Sequence, residues 1–486
     1  METFFSVIER NAGAIVNQYI AARFVTIDYD TPLMLPPDLR EWVPAGHLAH
    51  FILDAVAEMN LRQVRVNERG TGSEQYPPRM LLALLLYCYA TGVFGSRRIE
   101  QATWDSVPVR MICGDTHPDH DTICTFRREN KALLAETFVR VLELAQALKF
   151  LPVGQITVAV DGTKVLANAS QHAAVSYEHA GKTIAQLELE VKELLVKAEP
   201  SDSTPLEEGL TIPQEVQRRP ERKAKLAAAR AEIEARAKAR AAAEMAEYQV
   251  KLAERTAKKD SGEKPRGPEP KEPSQQPKPS DQYNFTAPES RIMKAGNGQH
   301  FEQSYNAQAA VEVDSRLIVG ERVSQAPNDK QELVPSVAAI AQPVASVADV
   351  LTDSGFYSEA AVQRVEQTPD GQPTGTTVYA ALEKKEPHRT VSDLEQKPEP
   401  SAPGPGASTS EVMKHRLKSA AGRAKYKLRQ QTVEPVFGII KSVLGFRQFL
   451  LRGLTKVALE WQLVCLAYNF KRLHRMSTGL KMAVRG

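Results

Sequence analysis

The chain has 486 residues, of which 42% are hydrophobic and 25% are charged, and it contains four cysteines. This length exceeds one ordinary domain, and the composition is typical of a soluble globular protein with a large core. The longest apolar run is too short to span a bilayer, so we expect neither a membrane span nor a secretion signal. Four cysteines without a CxxC pair favour a reducing cytoplasm.

Charge is distributed unevenly along the chain. The formal net charge is +3, whereas residues 411–486 contain sixteen Lys and Arg and only three acidic residues, Glu411, Glu434 and Glu460. Such an excess of positive charge predicts a polyanionic partner for the C-terminal part. Glu434 stands inside the basic stretch YKLRQQTVEPVFGIIK. It is therefore either an incidental solvated residue or the neighbour of a bound cation.

The first half of the chain changes from helical to strand-like and back. Residues 1–150 contain apolar residues at three- and four-residue spacing, which predicts helices. QITVAVDGTKVLANAS, residues 155–170, alternates β-branched and polar residues and predicts a strand. From Lys182 the chain is again helical, and two charged helices separated by a loop predict an antiparallel hairpin resembling a coiled coil.

The second half is divided by two Pro-rich, charged segments that we expect to be disordered linkers. Between them the pattern predicts two strands that meet at a turn at Asp314 and Ser315, followed by a helix, a strand, a helix and a last strand. After the second linker come a basic helix that contains Glu434 and an apolar helix. A mixed α/β sheet with helices fits this order.

The predicted organisation has seven segments. They are an all-α N-terminal domain (1–150), the first part of a strand-containing domain (151–180), a helical hairpin insertion (181–256), a disordered linker (257–282), the continued strand-containing domain (283–383), a second disordered linker (384–410), and a basic helix followed by a helical tail (411–486).

Two aspartates occupy similar positions at the predicted ends of strands. Asp161 in VAVDGTK and Asp353 in LTDSG each follow an apolar strand and precede a small residue or glycine. Either one alone is a common turn. Together with Glu434 they are the ligands that a two-metal phosphoryl-transfer site needs, because carboxylate oxygens suit Mg²⁺. The alternative for Glu434 is a residue in the first turn of a helix, before Pro435, where the helix dipole favours a carboxylate.

These segments resemble the bacterial insertion-sequence transposases of the DDE type, whose catalytic domain is RNase H-like. VAVDGTKVLANAS and LTDSGFYSEAAV are similar to the segments that carry the first two acidic residues, and YKLRQQTVEPVFGIIK is similar to the Tyr–Arg–Glu–Lys signature. YPPRMLLALLLYCYATG and SYNAQAAVEVDSRLIV also resemble family segments, whereas Ala287 stands where relatives often have Asp.

The resemblance implies a function and roles for particular residues. Asp161, Asp353 and Glu434 would be catalytic metal ligands for two Mg²⁺ or Mn²⁺ ions, and Tyr426, Arg429 and Lys441 would contact the cleaved DNA end. The N-terminal domain would help to bind the terminal inverted repeats, and a homodimer on DNA is expected because two element ends need two active sites. We expect the protein in the bacterial cytoplasm, associated with the nucleoid.

Other sequence signals leave alternatives open. Arg97, Arg98, Arg127 and Arg128 either contact DNA phosphates or pair with nearby acidic residues. The stretch CGDTHPDHDTIC, residues 113–124, holds two Cys and two His but has no recognised zinc spacing, so a turn is favoured over a zinc site.

Two other function classes remain open beside the transposase. One is a nuclease of the same fold that cleaves DNA without strand transfer, and the other is an inactive DNA-binding derivative.

Overall fold

The computed structural model describes residues 25–27, 38–66, 74–198, 212–260, 268–294, 300–341, 345–382, 399–404 and 406–483. The chain is a mixed α/β protein with two compact units. The first unit comprises residues 1–165 and 306–486, and the second comprises residues 166–305. Among the described helices, none is both long and apolar enough to cross a membrane.

The N-terminal region is helical, as predicted. Tandem prolines begin its central helix, since Pro77 precedes the first turn and Pro78 stands within it. Residues 80–90 of this helix are all buried, as expected for a helix that is apolar on every side. The helices are α1 (Leu39–Trp42), α2 (Leu48–Ala57), α3 (Pro78–Ala90), α4 (Ser96–Asp105), α5 (Val107–Ile112), α6 (His120–Glu129) and α7 (Lys131–Ala147).

The main sheet is mixed, as the order of elements predicted. Its strands follow the order β4-β5-β1-β7-β8, and β6 also pairs with β5. The pairs β1–β7 and β7–β8 are parallel, whereas β4–β5 and β5–β6 are antiparallel. The strands are β1 (Gly154–Leu166), β4 (Arg291–Lys294), β5 (Phe301–Glu312), β6 (Ile318–Ser324), β7 (Ala345–Thr352) and β8 (Thr377–Ala380), and a separate two-stranded sheet pairs β2 (Ala174–Ser176) with β3 (Gln282–Asn284).

The second unit contains the predicted helical hairpin. Its helices are α8 (Tyr177–Ala198) and α9 (Ile212–Asp260). They run antiparallel and are joined across their surfaces by ion pairs such as Arg219 Nε to Glu190 Oε2 at 2.9 Å. A small apolar core holds them together; its buried members are Val175, Ala180, Leu187, Leu226 and Ala229.

The disorder of the two predicted linkers stays a prediction. The segment 257–282 begins inside α9, and near its end Asp281 Oδ2 lies 3.0 Å from Arg240 Nη2. Most of the segment 384–410 lies outside the described residues. The functional division of the chain into seven segments stays a prediction.

The remaining helices belong to the first unit. α10 (Leu333–Ala338) precedes β7, and α11 (Glu359–Glu366) separates β7 from β8, as predicted. The C-terminal part contains α12 (Thr409–Lys418), α13 (Ala420–Gly438), a π-helical turn (Ile439–Val443) and α14 (Leu454–Ala483). Trp461 of α14 is fully buried and donates to the backbone carbonyl of Gln308 at 3.0 Å, which anchors this helix to β5.

Candidate active site around Asp161 and Asp353

Asp161 and Asp353 lie side by side because their strands are parallel neighbours. In the register of β1 and β7, Ala159 pairs with Leu351, and the same offset brings Asp161 level with Asp353. Our prediction that Asp161 ends its strand is wrong, since β1 continues to Leu166. Asp353 does follow its strand directly. Parallel pairing thus brings together two carboxylates that are far apart in the sequence.

The two carboxylates influence each other electrostatically. Burial, and then the charge of Asp353, raise the pKa of Asp161 to about 7. The backbone N–H of Gly162 donates to Asp161 Oδ1 at 2.8 Å and acts in the opposite direction. Asp353 Oδ1 accepts from the Gly355 N–H, also at 2.8 Å. A cation placed between these carboxylates would relieve their repulsion.

Helix α13 carries the basic signature to this pair. Ser419 caps its N-terminus by accepting from the Gly422 N–H at 3.1 Å. Glu434 therefore lies near the C-terminal end, and Pro435 lies inside the helix. The alternative that Glu434 is a first-turn residue stabilised by the helix dipole is wrong, because the dipole at this end disfavours a carboxylate.

Arg429 is the cation beside Glu434. Its Nη1 lies 3.3 Å from Asp161 Oδ2, and its Nη2 lies 3.6 Å from Glu434 Oε1. The side chain of Arg429 is 12% exposed and that of Glu434 is 56% exposed. One guanidinium therefore bridges two of the three carboxylates proposed from the sequence, and the third, Asp353, adjoins Asp161.

The other two residues of the signature also lie against this site. Burial raises the pKa of Tyr426. The charge of Arg429 lowers this pKa and the charge of Asp353 raises it, so Tyr426 lies near both groups. Lys441 lies in the π-helical turn, and its Nζ donates to the backbone carbonyl of Lys164 at 2.8 Å. Burial lowers the pKa of Lys441, and the neighbouring cation Arg447 adds to this effect.

An ion pair with a buried aspartate, which the sequence analysis missed, joins α13 to the sheet. Lys425 Nζ lies 2.7 Å from Asp349 Oδ2, and the Thr157 hydroxyl donates to the same oxygen at 3.1 Å. Asp349 is 7% exposed and stands in an otherwise apolar strand. A lone carboxylate in such a strand is the signal that could have revealed it, because buried charges require partners.

The four arginines of the N-terminal region have different environments. Arg97 and Arg98 are exposed in the first turn of α4. Arg128 is half-exposed and lies 3.3 Å from Glu129. Arg127 is 3% exposed, and its Nη1 donates to the Tyr89 hydroxyl at 2.7 Å. Arg127 is therefore part of the core, and its predicted contact with DNA is incompatible with this burial.

The two His residues of the segment 113–124 contact other side chains, and its two Cys residues are free thiols. His117 stacks on Trp104 with ring centroids 3.3 Å apart, and His120 Nδ1 lies 2.9 Å from Glu100 Oε2. Within the residues that the structure describes, no group of three or more His, Cys, Asp or Glu could hold a metal. That finding includes Asp161, Asp353 and Glu434, and Glu434 Oε1 lies 3.6 Å from Arg429 Nη2.

Clustered carboxylates from two neighbouring parallel strands, faced by a basic helix, form a site suited to an enzyme acting on a polyanion. Comparisons with protein families identify the class more closely. A family model described as "Transposase DDE domain" matches residues 406–474, and one described as "Transposase domain (DUF772)" matches residues 37–129. These matches indicate an insertion-sequence transposase of the DDE type, which confirms the resemblance. No curated protein and no solved structure matches the chain.

The matched segments contain part of the candidate site. Residues 406–474 include Tyr426, Arg429, Glu434 and Lys441, whereas Asp161 and Asp353 lie between the two matches. The family matches therefore give no evidence on these two aspartates, and the structural evidence for them is their position in the sheet.

Proposed function

We propose that the protein binds the terminal inverted repeats of its element and catalyses metal-dependent DNA cleavage and strand transfer. The observation that carries this proposal is the position of Asp161 level with Asp353 on neighbouring parallel strands, beside Arg429 of a basic helix. Buried neighbouring carboxylates are disfavoured unless a cation or a proton neutralises them. A phosphoryl-transfer enzyme needs such a pair for divalent ions.

The sheet supports an RNase H-like catalytic domain as part of the same proposal. β1 is central, with the antiparallel pair β5–β6 on one side and the parallel strands β7 and β8 on the other. The first acidic residue lies on the central strand, and the second follows its parallel neighbour. Both segments thus have the strand context that the resemblance implies.

The donor set fits Mg²⁺ or Mn²⁺ in part. Asp161 and Asp353 offer the hard oxygen ligands that these ions prefer, in a partly buried position. We propose that they hold the metal, and that Glu434 joins them only when its contact with Arg429 is exchanged. Two bound ions would activate the attacking oxygen and stabilise the leaving oxygen.

The basic side chains would bind and orient the DNA. A guanidinium binds phosphate in a bidentate manner, so Arg429 can exchange its carboxylate partners for a phosphate near the cleaved end. Tyr426 and Lys441 would line the same end. Arg97 and Arg98, which are exposed on α4, would add sequence-independent contacts with phosphates of the repeats, and Arg128 would do so after leaving Glu129.

Joining two ends of one element requires two active sites, so we propose that the protein acts as a homodimer on DNA. A freed 3′-hydroxyl would attack the target phosphodiester directly, and no covalent enzyme intermediate is required. Bond breaking and bond making then balance, since each transfer replaces one phosphodiester by another.

The decisive experiment incubates the purified protein with labelled DNA that carries the flanking repeats, a second DNA and Mg²⁺. Wild type should cleave at the repeat end and join it to the second DNA, and Asp161→Ala should do neither. Asp314→Ala, which removes an exposed carboxylate from the β5–β6 turn, is the matched control and should retain activity. Cleavage without joining would favour the nuclease, and binding without metal-dependent cleavage would favour the inactive derivative.

A further inference from the structure

A cluster of polar side chains packs behind Asp161, on the opposite face of β1. Side chains alternate along a strand, so Gly162 and Lys164 project away from the face that carries Asp161. Gly162 has no side chain, and three polar groups occupy the space. A Cβ at this position would clash with Gln308 Nε2 and would lie 2.7 Å from Asn306 Oδ1 and 2.8 Å from Asp329 Oδ1. Only glycine leaves room for these groups.

Asp329 organises the cluster. Its Oδ1 accepts from Asn306 Nδ2 at 2.7 Å and from Gln308 Nε2 at 2.8 Å, and Lys164 Nζ lies 3.7 Å from the same oxygen. Asn306 also donates to the Ala326 carbonyl at 3.2 Å. Both amides come from β5 and are fully buried. One carboxylate thus sets the orientation of two buried amides.

The cluster is not explained by fold stability alone. Among the described residues, neither Asn306 Oδ1 nor Gln308 Oε1 has a hydrogen-bond partner, although both atoms are buried. A buried polar atom without a partner costs free energy, and apolar side chains would avoid this cost. The polar character of this region therefore indicates a functional constraint.

Two contacts lead from the cluster to residues of the candidate site. The Gly162 N–H donates to Asp161 Oδ1 at 2.8 Å, so the orientation of this peptide group determines where that carboxylate is held. Two residues further along β1, the Lys164 carbonyl accepts from Lys441 Nζ at 2.8 Å. The segment 162–164 therefore connects the cluster on one face of the strand with Asp161 and Lys441.

We propose that Asp329 is a positioning residue, which acts through Asn306, Gln308 and the Gly162 backbone to orient Asp161 for metal binding. The metal-binding part of this inference rests on the proposed function, whereas the positioning part does not. Groups that orient a metal ligand without touching the metal commonly change metal affinity or activity about 10- to 100-fold when removed. Asp329→Ala removes the shared acceptor, and Asp329→Asn keeps an oxygen in its place.

The first test is hydrogen exchange of the full-length protein without metal. In Asp329→Ala we expect the Gly162 amide to exchange at least about tenfold faster than in wild type, since its peptide group is no longer supported. Glu366→Ala is the matched control, because Glu366 is as exposed as Asp329 (22% and 21%) and pairs with Arg416 elsewhere in the same unit. Unchanged exchange at Gly162, or equal acceleration in both variants, would overturn the proposal.

The second test measures Mn²⁺ affinity by calorimetry without DNA. Asp329→Ala should weaken binding about tenfold, Asp329→Asn less, and Glu366→Ala not at all. Faster exchange together with unchanged Mn²⁺ affinity would overturn the role in metal binding. If wild type binds no Mn²⁺ while the exchange result holds, the proposed metal site fails and the positioning of Asp161 stands. Asn306→Ala, which leaves Asp329 in place, should reproduce both effects if Asp329→Ala does not fold.

Discussion

Arg127 and Arg429 each lie near a tyrosine and a glutamate, but the two clusters differ in burial. Arg127 donates to Tyr89, whose hydroxyl lies 3.5 Å from Glu460. Glu460 is fully buried and accepts from two backbone N–H groups, those of Leu450 and Leu451, each at 3.0 Å. This closed cluster of Arg127, Tyr89 and Glu460 joins α6, α3 and α14, and it leaves no access for a ligand.

Arg429 belongs to an open cluster. Its partners are Asp161 and Glu434, and Glu434 is more than half exposed. A second carboxylate, Asp353, raises the pKa of Asp161. The closed cluster satisfies its charges internally, whereas the open cluster keeps an excess of carboxylate and a solvent-facing side. Both clusters contain Tyr, Arg and Glu, so composition does not distinguish them. The accessibility of the carboxylate distinguishes the structural network from the candidate active site.

The largest effect should come from breaking the closed cluster. Glu460→Ala leaves the Arg127 guanidinium buried without its carboxylate, which should lower the free energy of unfolding by about 3–5 kcal/mol. Urea denaturation followed by circular dichroism measures this change. An unfolding free energy within about 0.5 kcal/mol of wild type would show that this network is not a structural element.

The matching change in the open cluster should affect chemistry more than stability. Glu434→Ala should lower the rate of DNA cleavage at least about 100-fold, as expected when a group that stabilises the transition state is removed. Its unfolding free energy should change by less than about 1 kcal/mol, because exposed ion pairs contribute little. Single-turnover cleavage and urea denaturation of the same preparation test both parts, and normal cleavage would remove Glu434 from the proposed site.

Asp161 should make stability depend on pH in a direction opposite to that of an ordinary paired carboxylate. Its pKa in the folded protein is raised to about 7, so the folded state retains a proton that the unfolded chain releases above about pH 4. Wild type without metal should therefore lose stability as the pH rises from about 4 to about 7. Asp161→Asn should be on the order of 4 kcal/mol more stable than wild type at pH 8 and equal to it near pH 4. Thermal unfolding in a chelator at both pH values measures this difference, and a constant difference would contradict it.

The smallest effect concerns the exposed arginines of α4. Arg97→Ala should weaken binding to repeat DNA a few-fold and reduce the slope of log K against log salt by about 1, since one phosphate contact is lost. Arg110→Ala is the control. Arg110 lies on the neighbouring helix α5, and its Nη2 is 2.6 Å from Asp115 Oδ1, so its charge is already paired. Fluorescence anisotropy at several salt concentrations compares them. Equal slopes for Arg97→Ala and wild type would remove α4 from the DNA surface.

Much of the secondary structure was predictable because it depends on local patterns. The helical N-terminal region, the hairpin of α8 and α9, and the strands before Asp353 and after residue 300 follow from hydrophobic periodicity. The short strands β2, β3 and β4 were not predicted, since three or four residues carry too little periodicity to recognise. β1 agrees with the strand predicted for residues 155–170, whereas the placing of Asp161 at its end was wrong, because Asp–Gly usually marks a turn and here β5 supplies a partner strand.

The sequence was enough to identify the main residues of the candidate site, but not the long-range contacts among them. Asp161, Asp353 and the basic signature around Glu434 were identified from sequence, although their roles stay proposals. The ion pair of Lys425 with Asp349, and the cluster of Asp329 with Asn306 and Gln308, join residues at least 20 positions apart. Asn306 and Gln308, which alternate with alanines in the segment NAQAAV, were the available signal, and the sequence contains nothing that reveals their partner.

Local sequence patterns were enough to predict most of the helices and long strands, the region of positive charge and the carboxylates that are candidates for chemistry, because periodicity and composition act locally. Which charges meet depends on how the elements pack. The register of β1 and β7 set Asp161 beside Asp353, helix α13 carried Arg429 to Asp161, and the packing of α3, α6 and α14 enclosed Arg127. The physical reason is that burial and distance govern electrostatic interactions, and both are properties of the assembled chain.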